Sequence, residues 1–281
     1  MMIAHPSLLQ IVDAALHEDL GRGDITTEAC VPADAVARTQ MVAREELVWC
    51  GADVVTQVYA RIDPSVATHP LGPEGARVSA GTALMEIHGS ARSVLMGERV
   101  ALNFVQRMSA VATITRTCVD ALPPGSHTRI TDTRKTTPGL RALERYAVRV
   151  GGGHNHREDL AAAVLIKDNH IAAAGSVRHA IDQARARAPH TARITCEVDT
   201  LEQLEEALAA RADVVMLDNF SDEALARGVE AALGKALIEV SGGITPDRVR
   251  KLSEAGADII SIGALTHSAG SVDIGLDWTA S

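Results

Sequence analysis

Six short apolar or β-branched runs recur through the second half of the chain, at residues 128–131, 163–166, 193–198, 213–217, 236–240 and 258–262. The later runs begin about every twenty residues, and helical patterns fill most of the gaps. Val177, Ala180, Ile181 and Ala184 share one helical face, as do Leu201, Leu204 and Leu208. The same spacing marks Ala224, Leu225, Val229 and Leu233, and then Val249, Leu252 and Ala255. So short a period leaves room only for compact βα units, hence for an α/β fold with a parallel sheet. A closed or nearly closed barrel and an open doubly wound sheet both satisfy that rhythm.

The strand ends favour the barrel. The six runs lead into Asp132-Thr133-Arg134-Lys135, Lys167-Asp168-Asn169-His170, Glu197 with Asp199, Asp218-Asn219, Ser241-Gly242-Gly243, and Gly263-Ala264-Leu265-Thr266-His267. An open sheet gathers its ligand residues at one switch point. A barrel converges all its βα loops on one axis, so polar endings on every strand fit it better.

The first part, to about residue 120, is mixed. Residues 5–19 read as an amphipathic helix, 39–43 and 47–50 as strands, and 69–81 as turns. A long helix is predicted over 93–122, with Ala101, Phe104, Val105, Met108 and Ala112 on one face, ended by Pro123, Pro124 and Gly125.

Composition removes several functions. Acids exceed bases, 36 to 27, and aromatics are 2% of the chain. That disfavours a broad nucleic-acid face and a base-stacking platform. Cys30, Cys50, Cys118 and Cys196 are scattered without a CxxC pair, against a structural zinc or a disulfide framework. No apolar run is long enough to span a bilayer. No secretory signal is visible, and a cytoplasmic protein is the expectation.

Within an acidic chain, Arg134, Lys135, Arg157 and Lys167 fall at strand ends or in the glycine-rich loop before residue 158. Such a cation set suits an anionic substrate. In Ser241-Gly242-Gly243-Ile244-Thr245-Pro246 the paired glycines let backbone N–H groups approach a phosphate. Thr245 is placed to cap the next helix, with Pro246 at its first position. Gly263 adds a second small-residue approach. No triphosphate loop or dinucleotide fingerprint is present. Glu197 and Asp218 could coordinate Mg²⁺, hold sugar hydroxyls or stabilise developing positive charge. His154-Asn155-His156 has a metal-like spacing, but the glycines before it signal a loop and Arg157 would repel a cation. Contact with an anionic ligand suits His156 better.

Taken together, these segments resemble the quinolinate phosphoribosyltransferase family. The most specific pieces are Asp132-Thr133-Arg134-Lys135-Thr136-Thr137-Pro138-Gly139, Gly151-Gly152-Gly153-His154-Asn155-His156-Arg157 and Leu165-Ile166-Lys167-Asp168-Asn169-His170. The resemblance runs from Glu18-Asp19-Leu20-Gly21-Arg22-Gly23-Asp24 to Asp273-Ile274-Gly275. It implies an N-terminal α/β sandwich (residues 1–112, joined by 268–281) and an incomplete α/β barrel (113–267). It implies phosphoribosyl transfer from phosphoribosyl pyrophosphate (PRPP) to quinolinate, with release of pyrophosphate and CO₂ and a requirement for Mg²⁺. By motif, Arg99, Arg134, His156, Arg157 and Lys167 would bind quinolinate. Lys135, Lys167, Glu197, Asp218, Ser241, Gly242, Gly243 and Gly263 would bind PRPP. Lys135, Glu197 and Asp218 form the expected catalytic set, the two acids lying near the metal. A homodimer with shared sites is implied, the neighbour supplying Arg99. After Arg157 the chain departs from the family pattern at Glu158, Asp159 and Ala162. Competing expectations are a related transferase with another acceptor such as nicotinate, a non-catalytic sensor of an anionic metabolite, and an aldolase using Lys167 as a Schiff base.

Overall fold

The computed structural model describes residues 6–279. The first elements are α1 (Leu8–Leu20), α2 (Ile25–Cys30), β1 (Val36–Ala43), β2 (Leu47–Val48), α3 (Ala52–Ile62), β3 (Ala67–Pro70), β4 (Arg77–Val78), β5 (Ala83–Ser90) and α4 (Ala91–Asp120). Then come β6 (Arg129–Thr131), α5 (Arg141–Val150), β7 (Val164–Ile166), α6 (Asp168–Ala174), α7 (Val177–Arg187), β8 (Ile194–Val198) and α8 (Leu201–Ala209). The chain finishes with β9 (Val214–Asp218), α9 (Asp222–Ala232), β10 (Leu237–Ser241), α10 (Pro246–Glu254), β11 (Ile259–Ser261), α11 (Ala264–His267) and β12 (Ile274–Trp278). Position 5, where the first helix was expected to begin, lies outside the described residues.

Two compact units divide the chain. One comprises residues 1–116, 136–152 and 265–281; the other comprises 117–135 and 153–264. The segment 136–152, which the sequence reading assigns to the barrel, therefore lies with the first unit. Arg107 on α4 explains much of this, because its guanidinium meets the buried Glu144 of α5 at 2.8 Å.

The first unit is built on a four-stranded antiparallel sheet in the order β12-β1-β5-β3. Along β1 the alternate residues Ala37, Thr39, Met41 and Ala43 are buried, as a half-buried strand requires. The hydroxyl of the buried Thr39 donates to the Ile87 carbonyl at 3.2 Å. Helix α4 buries Ala101, Val105, Met108 and Ala112, the face expected from its spacing, with Phe104 beside them. At α2, Asp24 is the N-cap, its carboxylate accepting the Thr27 N–H at 2.9 Å.

The second unit is a six-stranded parallel sheet in the order β6-β11-β10-β9-β8-β7. The end strands β6 and β7 do not pair, so the barrel is incomplete. His154 extends the sheet by one bridge on β6: its N–H donates to Ile130 O at 2.8 Å, and Asp132 N–H donates to its carbonyl at 3.2 Å. The inner strands are almost continuously buried, because a parallel sheet is covered on both faces. Three connecting helices start on side-chain caps: Ser176 accepts from His179 N–H, Thr200 from Gln203 N–H and Ser221 from Ala224 N–H. Thr245 differs from expectation. It occupies the N-cap position of α10 without a side-chain cap bond, while its backbone carbonyl accepts the Arg248 N–H at 3.0 Å and Pro246 stands at the first helical position.

Candidate active site

Strand register decides which side chains meet. Parallel pairing sets Glu197 of β8 level with Met216 of β9, and Met216 level with Glu239 of β10. Side chains alternate along a strand. Asp218 and Ser241, two residues further on and paired with each other, therefore stand on the same face, nearer the C-terminal rim. Leu165 and Lys167 follow the same alternation on and just beyond β7. A cavity of about 320 Å³ opens on that face. It is lined by Thr133, Arg134, Lys135, His156, Arg157, Leu165, Lys167, Glu197, Met216, Asp218, Glu239, Ser241 and Ser261.

Eight residues expected from the sequence thus share one wall: Arg134, Lys135, His156, Arg157, Lys167, Glu197, Asp218 and Ser241. Gly242, Gly243 and Gly263 follow in the loops at the same rim but do not line the cavity. Arg99 belongs to the first unit, where it is exposed on α4.

The charges are arranged rather than scattered. Lys167 Nζ pairs with Glu197 Oε2. Asp218 Oδ2 accepts from Asn219 Nδ2 at 2.7 Å. Arg157 donates through one terminal nitrogen to the Ala163 carbonyl at 3.1 Å, while its buried Nε has no hydrogen-bond partner. Burial lowers the Arg157 pKa from its ordinary value, the neighbouring Arg134 lowers it further, and Asp159 works in the opposite direction. A half-buried guanidinium beside a like charge, with a donor left over, suits an anion. The unusual segment after Arg157 closes on itself: Asp159 Oδ1 accepts the Ala161 N–H at 2.9 Å, and its charge supports Arg157.

The glycine loop divides into two roles. Gly242 has a φ of +95°, and a Cβ there would lie 2.7 Å from the Asn219 backbone nitrogen and 2.2 Å from its Oδ1. Its smallness is required by the neighbouring strand end. Gly243, with a φ of +56°, faces open space. Of the two, Gly243 is the position with room for a ligand.

Two acids were missed by sequence reasoning. Asp132, fully buried, accepts from the His156 N–H at 2.7 Å and from Asn155 Nδ2 at 2.6 Å, tying that loop to the end of β6. Glu239, 1% exposed, accepts from Ser261 Oγ and lies 3.3 Å from His156 Nε2. The signal for Glu239 was available: one charged residue inside the otherwise apolar run at 236–240.

A larger cavity, about 630 Å³, lies in the first unit among Ile11, Ala14, Val100, Phe104, Met108 and Leu143. Arg107 and Glu144 in its wall pair with each other at 2.8 Å, and Glu18 and Asp19 also line it.

Comparison with known proteins identifies the family. Residues 24–109 match the model of the quinolinate phosphoribosyl transferase N-terminal domain, and residues 111–277 match that of its C-terminal domain. The chain is 44% identical to the nicotinate-nucleotide pyrophosphorylase (carboxylating) of Mycobacterium leprae, covering 94% of each chain. It is 40% identical to the probable enzyme of that name from Bacillus subtilis, over 99% of this chain and 95% of the relative. The solved nicotinate-nucleotide pyrophosphorylase of Ehrlichia chaffeensis superimposes with a TM-score of 0.93 at 38% identity, covering 99% of this chain and 100% of that one. The chain belongs to the quinolinate phosphoribosyl transferase family.

Proposed function

We infer that this protein transfers the phosphoribosyl group of PRPP to the ring nitrogen of quinolinate. The products are nicotinate mononucleotide, pyrophosphate and CO₂, in de novo NAD synthesis. The observation that carries the reading is the single cavity in which four cations face two strand-end carboxylates.

Arg134 and Arg157 present guanidinium groups to the two carboxylates of the acceptor, with Lys167 opposite them. Holding both carboxylates aims the ring nitrogen at the sugar. Departure of pyrophosphate leaves positive charge on the anomeric carbon. Glu197 and Asp218, on adjacent strands of the same face, lie where that charge can be stabilised. Lys135, exposed at the mouth, serves the departing phosphates. After transfer the ring nitrogen is cationic and accepts the electron pair released when CO₂ leaves, so no covalent nucleophile is required. Ser241 with Gly243, and Gly263 on the next strand end, are the groups proposed for the 5-phosphate.

The donor set is compatible with Mg²⁺ bound largely through substrate. No group of three His, Cys, Asp or Glu side chains among the described residues forms a metal cage. Mg²⁺ is commonly held by one or two carboxylates plus substrate phosphates. Glu197 and Asp218 would take that part, and the ion would offset charge on the pyrophosphate.

Arg99 supports a shared site in a homodimer. It is exposed on α4 of the first unit and makes no ion pair among the described residues. A cytoplasmic setting is supported by four free cysteines. The deciding assay supplies PRPP and Mg²⁺ with either quinolinate or nicotinate and follows nucleotide and CO₂. Quinolinate should react far better, because a monocarboxylate engages only part of the half-buried cation set. Equal turnover of the two acids would count against the dicarboxylate reading.

A further inference from the structure

Three carboxylates among the described residues are almost fully buried: Asp132, Glu144 and Glu239. Asp132 is satisfied by a backbone N–H and an amide, and Glu144 by a guanidinium. Among the described residues, Glu239 has neither an arginine nor a lysine partner. Its described partners are the Ser261 hydroxyl and the His156 imidazole. A buried carboxylate without a cation is costly to keep, so its geometry bears on what it does.

The hydrogen bonds around it run in one direction. A carboxylate can only accept, so Ser261 donates to Glu239. Ser261 Oγ lies 2.8 Å from Thr131 Oγ1, and with its own proton committed it accepts from Thr131. On the other side, His156 Nδ1 accepts the backbone N–H of Arg157 at 2.8 Å. Nδ1 must therefore carry a lone pair, and the ring proton belongs on Nε2. Nε2 is the atom 3.3 Å from Glu239 Oε1. Both ring nitrogens are thus engaged inside the protein, one holding Glu239 and the other holding the chain at Arg157.

We propose that Glu239 is a positioning residue of the transfer reaction. It keeps the His156 proton on Nε2, which leaves Nδ1 able to hold the Arg157 backbone and so fixes the acceptor-binding guanidinium at the cavity wall. The logic is that of an orienting carboxylate behind a functional histidine. Without the carboxylate, the Nδ1–H tautomer becomes accessible. In that tautomer two N–H groups face each other, and Arg157 must move. The inference rests on Arg157 binding the acceptor, and its first readout is independent of activity.

The test compares wild type, Glu239→Ala and Glu239→Gln in the full-length protein. Ring ¹⁵N spectra of histidine-labelled protein report the tautomer, the His156 signals being assigned with His156→Gln. Wild type should show Nε2–H. Glu239→Ala should shift His156 toward Nδ1–H and raise KM for quinolinate about tenfold or more, the size expected for loss of a charge-assisted hydrogen bond, with KM for PRPP changed by less than about twofold. Glu239→Gln, whose amide oxygen can still accept from Nε2, should keep the tautomer and most of the affinity. A folded Glu239→Ala protein with the wild-type tautomer overturns the proposal. So does a shifted tautomer with unmoved KM for quinolinate, or an equal rise in both KM values. Should Glu239→Ala fail to fold, Glu239→Gln decides: a changed tautomer or a quinolinate KM raised as much as the PRPP KM overturns the idea. If the wild type prefers another acceptor, the dicarboxylate reading fails, while the tautomer measurement still judges Glu239.

Discussion

At the scale of single residues, the glycines and the half-buried Arg157 make opposite demands. Gly242 is crowded by the Asn219 backbone and sits at positive φ. Gly242→Ala should destabilise the protein by roughly 1–3 kcal/mol, read as a fall in Tm. The rim loop is thus less tolerant than its position suggests. Gly243 also has positive φ, but in the left-handed region that asparagine tolerates, and it faces open space. Gly243→Asn should fold with little loss of Tm and raise KM for PRPP. Unchanged PRPP kinetics would remove that loop from the phosphate site. Arg157 behaves the other way. Its folded-state pKa is lowered, so folding disfavours the cation, and the cost is present throughout the neutral range. Anion binding relieves it. Arg157→Met should therefore leave Tm equal or higher while reducing kcat/KM at least about a hundredfold, by loss of a charge-assisted contact in the transition state. A large fall in Tm would mean the guanidinium is structural. What hid Glu239 from the sequence is also a residue-scale matter. A lone acid in an apolar strand carries no spacing signal, and only register shows that it reaches His156.

At the scale of elements, legibility followed burial. All six strands of the parallel sheet could be read, because two covered faces impose continuous apolar runs. The long helix was legible from the spacing of Ala101, Phe104, Val105, Met108 and Ala112, although it runs over Ala91–Asp120, a shift of two residues at each end. Helix α5 was not. Its buried set, Leu143, Glu144, Tyr146, Ala147 and Val148, includes an acid that becomes intelligible only beside Arg107. Strand β12 was likewise missed, since five residues containing Gly275 become a strand through pairing with β1. The motif at residues 21–27 has a local purpose as the cap of α2. Asp24→Ala should cost about 1 kcal/mol, measured by urea denaturation. The sign with pH follows. Hydrogen bonds from Thr27 hold the Asp24 carboxyl below its usual range. Its contribution is therefore complete above the unfolded pKa of about 3.9 and is lost as pH falls through the folded value. The difference between wild type and Asp24→Ala should shrink in acid.

For the whole molecule, the exposed Arg99 makes a test of the proposed shared-site dimer. Arg99→Ala and Lys135→Ala should each be nearly inactive. Mixed under subunit exchange, they form about half heterodimers, each with one intact site, so recovery approaches about a quarter of wild-type activity. No recovery after exchange verified by mass spectrometry would place Arg99 outside any shared site. Thiol chemistry offers a check on the core. Cys30 is exposed, while Cys50, Cys118 and Cys196 are buried, with burial pushing Cys196 up to about 12 and Cys118 to about 11. One cysteine per chain should react rapidly in the native state, and four after unfolding. The unclosed sheet has a further consequence for how the enzyme comes into being. Strand β6, just ahead of Arg134 and Lys135, pairs with β11, Arg129 lying opposite Ile259. Strands β7 to β11 can add one after another as a ribosome delivers them, but β6 has only the single His154 bridge and no partner strand until β11 emerges. During synthesis the acidic wall is thus complete before the two cations are anchored. A nascent chain halted before residue 259 should hold a partly formed sheet with no competent site, which limited proteolysis of stalled ribosome complexes can reveal as late protection of β6.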